Sequence, residues 1–186
     1  MSILNPFSSG EDDGPDSPEE EIEFEESQII SDLESLQNAI EDALEAEMNL
    51  FRALKQGLSE NVVEDRVGSI EIYIEDDVEP REKSIRSELE KLRDHEGKLQ
   101  ASKPLVEEHQ RLLEVIQDAV SKTDEEIQRL EQIVEAAEKV LKGENFSHDE
   151  MMSKIENKIT TDAEEAEVLE DELETAEDIE TDIRQS

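Results

Sequence analysis

The sequence predicts an all-α protein, an elongated antiparallel helical bundle or coiled coil of three to five helices with a disordered acidic N-terminal leader. Apolar residues recur three and four positions apart along most of the 186 residues, which is the spacing of one helix face. Aromatic residues make up only 3% of the chain, which suits a narrow interface of aliphatic side chains better than a round core. The 39% of charged residues is also typical of disorder, but the regular apolar spacing argues against it.

The leader is predicted to span residues 1–17, and the elongated helical module residues 18–186. Gly10, Gly14 and Pro15, among several acids, disfavour regular structure in the leader. An apolar group at its tip is either a frayed terminus or a short docking peptide on a polar tether. We take its four members as candidate partner-docking residues: Ile3, Leu4, Pro6 and Phe7.

The first helix is predicted over residues 18–57. Ser17 is a favourable N-cap, Pro18 suits the first helical position, and Glu20 follows the cap by three residues as in a capping box. A later start near Ser27 is the alternative. The predicted apolar stripe averages about 3.6 residues per step, and it runs through Ile29, Leu33, Leu36, Ile40, Leu44, Met48, Phe51, Leu54 and Leu58.

The next segment, residues 60–78, permits two interpretations. Helical spacing is kept by five β-branched residues: Val63, Val67, Ile70, Ile74 and Val78. The alternation of Ile70, Ile72 and Ile74 with polar residues is instead typical of a strand. A single short strand would have no pairing partner, so we predict a helix.

Pro80 is predicted to begin a third helix over residues 80–101, because proline suits the first helical position. Ser102 and Pro104 indicate the start of a fourth helix over residues 103–142. The alternative is a single helix that is kinked at Pro104.

The fifth helix, predicted over residues 147–184, has the strongest start signal. Ser147 is the expected N-cap, Glu150 completes a capping box, and Phe146 and Met151 are expected to pack as a hydrophobic staple. The short turn before it favours an antiparallel pair with the fourth helix. Eight residues are predicted to lie in the interface between helices: Leu33, Leu36, Ile40, Leu112, Ile116, Leu130, Leu169 and Leu173.

The net charge of −37 comes from 55 acidic and 18 basic residues. Self-repulsion of this size destabilises a compact state, and molar salt reduces it because the Debye length falls to about 3 Å. We therefore predict a high-salt cytoplasm, that of a halophilic archaeon or its virus. The same charge disfavours direct binding to nucleic acid, and no apolar run approaches the roughly 18 residues of a membrane span.

The charge is unevenly distributed between two segments. Residues 80–103 contain seven basic and five acidic residues, whereas residues 162–182 contain twelve acidic residues and no basic one. We expect either that attraction between these segments selects which helices pair, or that both faces are simply solvated.

Few residues suggest chemistry. The chain has no cysteine, which excludes disulfides and thiolate sites, and we expect neither a metal nor another cofactor. Acidic residues are expected off the apolar stripes, with Glu26 as the exception, so a catalytic carboxylate pair is not predicted. His95, His109 and His148 do not form a ligand set. His109 lies on the stripe of the fourth helix, either as a polar core residue that sets register or as a partly exposed edge residue.

These patterns predict a non-enzymatic scaffold or adaptor that mediates protein–protein assembly. Its partners would be proteins, including further copies of itself, in a homo-oligomer or a hetero-complex. The first alternative is a chaperone-like or assembly-scaffolding protein of a cell or virus. The second is an acidic mimic of nucleic acid that inhibits a nucleic-acid-binding protein.

Overall fold

The computed structural model describes residues 18–96, 103–143 and 148–185, and no strand occurs among them. The all-α class is therefore confirmed. The helical elements are α1 (Pro18–Lys55), α2 (Glu60–Ile72), a π-helical turn (Tyr73–Val78), α3 (Glu79–Glu96), α4 (Lys103–Lys142) and α5 (His148–Gln185). None of these helices is long and apolar enough to cross a membrane.

Gly57 ends α1 through a pair of backbone hydrogen bonds. The N–H of Gly57 donates to the carbonyl of Leu54, and the N–H of Leu58 donates to the carbonyl of Ala53, each at 3.1 Å. This is the Schellman arrangement, and it requires the left-handed φ of 63° that Gly57 adopts. Glycine reaches that conformation without steric cost, so the chain reverses here into α2.

Pro80 does not begin a new helix. The helical backbone continues from α2 into α3 through the π-helical turn, in which the N–H of Glu79 donates to the carbonyl of Ile74, five residues earlier. The prediction of a break between residues 78 and 80 was therefore wrong, and the strand alternative is not adopted. The physical reason is that Pro80 has no N–H to donate to the preceding turn, and the wider π-helical turn lies where that bond is missing.

The π-helical turn also absorbs one extra residue in the apolar pattern. Before it, Val67, Ile70 and Ile74 are buried at steps of three and four. After it, the buried positions Glu82 and Ile85 each lie one residue later than that pattern would place them. The extra residue in the wider turn keeps one face of residues 60–96 towards the core.

Contacts between the long helices define their directions. Lys122 of α4 contacts Glu172 of α5, whereas Arg129, further along α4, contacts Asp162, which is earlier in α5. The two helices therefore run in opposite directions. In the same way, α1 runs opposite to α5, as the hydrogen bond from Ser27 to Glu180 places the start of one beside the end of the other.

The α2–α3 segment packs between α1 and α4. His95, near the end of α3, lies 2.9 Å from Glu25, near the start of α1. Arg86 and Arg93 of α3 reach α4. Among the described residues α3 and α5 make no contact. Of the two alternatives for the basic segment 80–103 and the acidic segment 162–182, pairing with each other is therefore not found for the part of these segments that is described.

One continuous core fills the space between the helices. It is built from aliphatic side chains of every helix, and its largest fully buried members include Ile22, Ile70, Ile85 and Leu92. The eight residues assigned to the helix interface all lie in it: Leu33, Leu36, Ile40, Leu112, Ile116, Leu130, Leu169 and Leu173.

Candidate functional site

Several polar side chains interrupt this aliphatic core, and two groups of them join different helices. One group is a pair, Glu26 and His109. The other, which we name the carboxyl cluster, consists of Glu47, Glu126 and Asp162 together with Arg129. Because burying a charged group costs free energy unless it is paired, these positions are the least expected in the core.

The pair joins α1 to α4. The Nδ1–H of His109 donates to Oε1 of Glu26, and only 6% of the His109 surface is exposed. Burial raises the pKa of Glu26, although His109 acts in the opposite direction. His109 is thus a polar core residue, and the hypothesis of a partly exposed edge residue was wrong.

The carboxyl cluster brings together α1, α4 and α5. Glu47, Glu126 and Asp162 are each between 0% and 3% exposed. The guanidinium of Arg129 donates to Asp162 and also to Glu165, nearer the surface of α5. Neither carboxyl oxygen of Glu47 accepts a hydrogen bond from a donor among the described residues. A hydrogen bond between Glu47 and Asp162 requires a proton on one of the two carboxyl groups.

These carboxyl groups bind protons far more tightly than ordinary ones. Burial, followed by repulsion from Asp162 and Glu126, raises the pKa of Glu47 to about 10. Burial and repulsion from Asp162 raise the pKa of Glu126 to about 8. Burial also raises the pKa of Asp162, against the attraction of Arg129. Both shifts favour the protonated forms of Glu47 and Glu126.

Sequence analysis missed this cluster because it expected acids to lie off the apolar stripes. On α1 the averaged spacing placed Met48 in the stripe, but Met48 is 39% exposed and Leu44 is only half-buried. The core instead follows strict alternating steps of four and three through Leu36, Ile40, Ala43, Glu47, Leu50 and Leu54. Counting Ala43 as a core residue would have identified Glu47.

The other two carboxyl groups obey the same rule. Glu126 lies three residues after the buried Thr123 and four before Leu130, and Asp162 lies four before Ala166. An unbroken three-and-four pattern with an acid in it was the available signal. The alternation predicts position only, and it does not predict that three such positions meet.

The remaining histidines lie nearer the surface. Glu21, Glu25 and His95 are the group of described residues in which three possible metal ligands lie within 4.8 Å of one another. His95 and Glu25 are partly exposed and already paired at 2.9 Å, so this group alone does not indicate a metal. His148 is exposed and lies 3.9 Å from Asp149.

The predicted capping and docking residues are only partly described. Glu20 and Glu150 are exposed, and Glu150 lies 3.3 Å from Lys154. Met151 is half-buried against the core. The other predicted members lie outside the described residues: Ser17, Phe146 and Ser147 of the caps, and Ile3, Leu4, Pro6 and Phe7 of the docking peptide.

A surface groove runs between α4 and the α2–α3 segment, and we name it the acidic groove. One part, of about 200 Å³, is lined by Glu71, Ile74, Glu75, Glu79, Glu131 and Val134. The adjoining part, of about 280 Å³, is lined by Glu60, Glu64, Val67, Glu71, Glu138, Leu141 and Lys142. Glu71 borders both parts, which makes them one continuous groove. Its carboxylates come from the α2–α3 segment on one side and from Glu131 and Glu138 of α4 on the other, with aliphatic residues between them.

The two kinds of site permit different chemistry. The carboxyl cluster is enclosed by the core, so it can exchange protons but offers no surface on which a substrate could be held. The acidic groove is open to solvent and is lined mainly by carboxylates. No family model, curated protein or solved structure matches this chain, so its function is argued from these sites alone.

Proposed function

We propose that the protein is a non-enzymatic scaffold or adaptor that binds a segment of another protein in the acidic groove. Its body would be an elongated antiparallel bundle with interfaces of the coiled-coil type, in a cytoplasm of high salt. The observation that carries this proposal is the groove, because it combines an aliphatic floor with carboxylates along both edges. That combination suits a helix with an apolar stripe flanked by Lys or Arg.

Charge and shape contribute differently to this recognition. The cations that border or adjoin the groove already have partners, since Lys142 lies 3.1 Å from Glu138 and Lys83 lies 2.7 Å from Glu79. The other edge carboxylates remain available to a basic partner. In high salt these charges select and orient the partner. Val67, Ile74 and Val134 are almost fully buried, so the salt-resistant part of the affinity comes from contact with the half-buried Leu141.

The burial of the shifted carboxyl groups supports a role other than catalysis. General acids and bases act within hydrogen-bond reach of a bound substrate. Glu47 and Asp162 are both 0% exposed, and Glu126 is 3% exposed. Their altered pKa values therefore bear on the stability of the bundle more directly than on a reaction.

The test compares two variants that lose the same number of charges. The first is Glu71→Gln, Glu75→Gln and Glu131→Gln in the groove. The control is Glu167→Gln, Glu170→Gln and Glu174→Gln on the exposed face of α5. A partner recovered by cross-linking in native cells is purified, and its affinity for each variant is measured in molar salt.

We expect the groove variant to bind about threefold more weakly in molar salt and the control to bind like the native protein. Screening leaves each exposed ionic contact at about 0.2 kcal/mol, so three contacts are together worth about 0.6 kcal/mol, which is a factor of about three in affinity. Equal losses in the two variants would show a response to net charge alone. Unchanged binding by the groove variant would exclude the groove as the docking site.

A second candidate function rests on α5, where Glu164, Glu167, Glu170, Asp171 and Glu174 are all exposed. A row of carboxylates of this kind can imitate a nucleic-acid backbone. A charge mimic would compete with DNA for a basic protein, and the α5 control variant would then lose activity while the groove variant kept it. Two other functions would give different results. A chaperone-like protein would bind unfolded clients. A scaffold that assembles with itself would form an oligomer of defined mass, which light scattering measures.

A further inference from the structure

The carboxyl cluster is unusual because its charges do not balance. Glu47 comes from α1, Glu126 and Arg129 from α4, and Asp162 from α5. Lys158, also on α5, acts on Asp162 from further away. If all three carboxyl groups were ionised, one half-buried guanidinium would face three buried negative charges.

The α2–α3 segment, which contributes no residue to the carboxyl cluster, does not correct this imbalance of charge. Arg66 of α2 and Tyr73 of the π-helical turn instead line a surface cavity together with Asp42, Glu45, Ala46 and Asn49 of α1. The groups that act on Glu47 are Asp162 and Glu126, which repel it, and Arg129, which attracts it. Glu47 therefore needs another positive charge, or it must be neutral.

The geometry favours a proton over a metal ion as that charge. Both oxygens of Glu47 lack a hydrogen-bond donor among the described residues, as do Asp162 Oδ2 and Glu126 Oε1. Yet the described residues that bring three ligand atoms within 4.8 Å of one another are Glu21, Glu25 and His95, at a different place. A proton requires only one carboxyl oxygen, whereas a metal ion requires several that converge.

We propose that the carboxyl cluster is a proton-binding site, and that the protons it holds keep α1 packed against α4 and α5. Loss of these protons would leave like charges facing one another in the core. The three helices would then separate at this level, which makes the bundle sensitive to alkaline pH. This inference concerns the interior and is independent of the acidic groove.

The direction of the pH effect follows from proton linkage. The pKa of Glu47 rises from 4.5 to about 10, and that of Glu126 rises from 4.5 to about 8. At a pH above 4.5 and below the raised pKa of each group, the folded state holds a proton that the unfolded state has released. Stability is therefore greatest near pH 4.5 and falls as pH rises, and the contribution of Glu47 to this fall ends near pH 10.

The decisive experiment measures the slope of stability against pH for native protein and for Glu47→Gln. Chemical unfolding is followed by circular dichroism from about pH 5 to about pH 9 in molar salt. Each proton held only by the folded state changes the unfolding constant about tenfold per pH unit. We expect unfolding of E47Q to release about one proton fewer than unfolding of the native protein, so that its stability depends less on pH. The unfolding constant of E47Q should then match the native value near pH 5 and be far smaller than the native value near pH 9.

Controls separate this site from the general charge of the protein. Glu126→Gln should reduce the slope in the same way below about pH 8. Glu167→Gln, on the exposed face of α5, should leave it unchanged. If E47Q were destabilised equally at every pH, Glu47 would be a packing residue and the proposal would be wrong.

A metal site is tested in the same samples. If Mg²⁺ or Ca²⁺ stabilised the native protein near pH 9 but did not stabilise E47Q, the ligand would be a metal ion and the proposal would be overturned. Carbon-13 NMR of the native carboxyl groups gives a readout that requires no variant to fold. It should show one buried glutamic acid still protonated near pH 8, and its absence would also overturn the proposal.

Discussion

The Glu26–His109 pair fixes how α1 lies along α4. The two residues are 83 positions apart in sequence and meet inside the core, where neither can be solvated. Any shift of one helix by a turn would bury both groups without a partner, which costs several kcal/mol. The pair therefore selects one alignment of the helices, in the way that a single polar core residue selects the register of a coiled coil.

Removing one member of the pair should cost more than removing both. His109→Leu leaves Glu26 buried without its partner, and we expect a loss of about 3–5 kcal/mol in the free energy of unfolding. The double variant Glu26→Leu, His109→Leu should be neutral or more stable. Chemical unfolding near pH 8 measures both, and His148→Leu, at an exposed site, is the control, with an expected change within about 0.5 kcal/mol.

The penalty for the single variant should also depend on pH. Burial raises the pKa of Glu26, so without His109 the carboxyl can accept a proton as pH falls. The loss should then be smaller near pH 5 than near pH 8. Equal losses in the single and double variants would mean that the shape of the imidazole matters and its hydrogen bond does not.

At this scale the sequence predicted positions better than partners. Glu26 and His109 were each identified because they lie on apolar stripes, yet their contact across the core could not be inferred from spacing. Glu47 was missed because an average step of about 3.6 residues drifts from the strict three-and-four alternation over several turns. Small residues such as Ala43 carry much of that alternation, and their weak hydrophobicity made it hard to recognise.

At the scale of a single element, the π-helical turn has a clear structural role. The buried pattern of residues 60–96 contains one extra residue, and the turn accommodates it directly before Pro80. Propensity alone suggested either a strand or a new helix at this place. Packing of both halves on one core overrode those local preferences, which is why the local signal was misleading.

Deleting the extra residue should therefore be tolerated. A variant that lacks the exposed Asp76 and carries Pro80→Ala restores the strict alternation of three- and four-residue steps between Ile74 and Leu89. We expect it to keep the helicity and the thermal midpoint of the native protein. Both are measured by circular dichroism in molar salt.

Deletion of the exposed Glu64 is the matched control for this variant. It removes one residue from α2, where the pattern has none to spare, so that the steps of four and three after Val63 become two steps of three and Val63 is rotated towards the edge of the buried face. We expect a loss of about 1–2 kcal/mol, since part of one buried valine side chain would be moved towards solvent. Equal effects of the two deletions would show that the π-helical turn does not compensate for a register shift.

At the scale of the whole molecule, apolar interfaces decided which helices are neighbours, and net charge did not. The alternative in which the basic and acidic segments attract each other does not hold, because α3 and α5 make no contact among the described residues. Exposed ionic contacts are each worth at most about 1 kcal/mol. A buried aliphatic side chain contributes about 1.5–3 kcal/mol, and the core contains dozens.

Net charge should instead govern the conditions under which the bundle is stable. A charge of −37 repels itself across the whole surface, and the Debye length falls from about 10 Å in 0.1 M salt to about 3 Å in 1 M salt. We therefore expect the thermal midpoint to rise strongly between these concentrations of KCl. The largest gain should come at the low end, because the Debye length changes most there.

A charge variant separates screening from other effects of salt. Glu167→Gln, Glu170→Gln and Glu174→Gln together reduce the net charge from −37 to −34 without touching the core. If repulsion is the cause, this variant should be more stable than the native protein in dilute buffer and nearly equal to it in molar salt. A thermal midpoint that did not change with KCl would contradict the prediction, because a folded chain with this charge cannot avoid its own repulsion in dilute buffer.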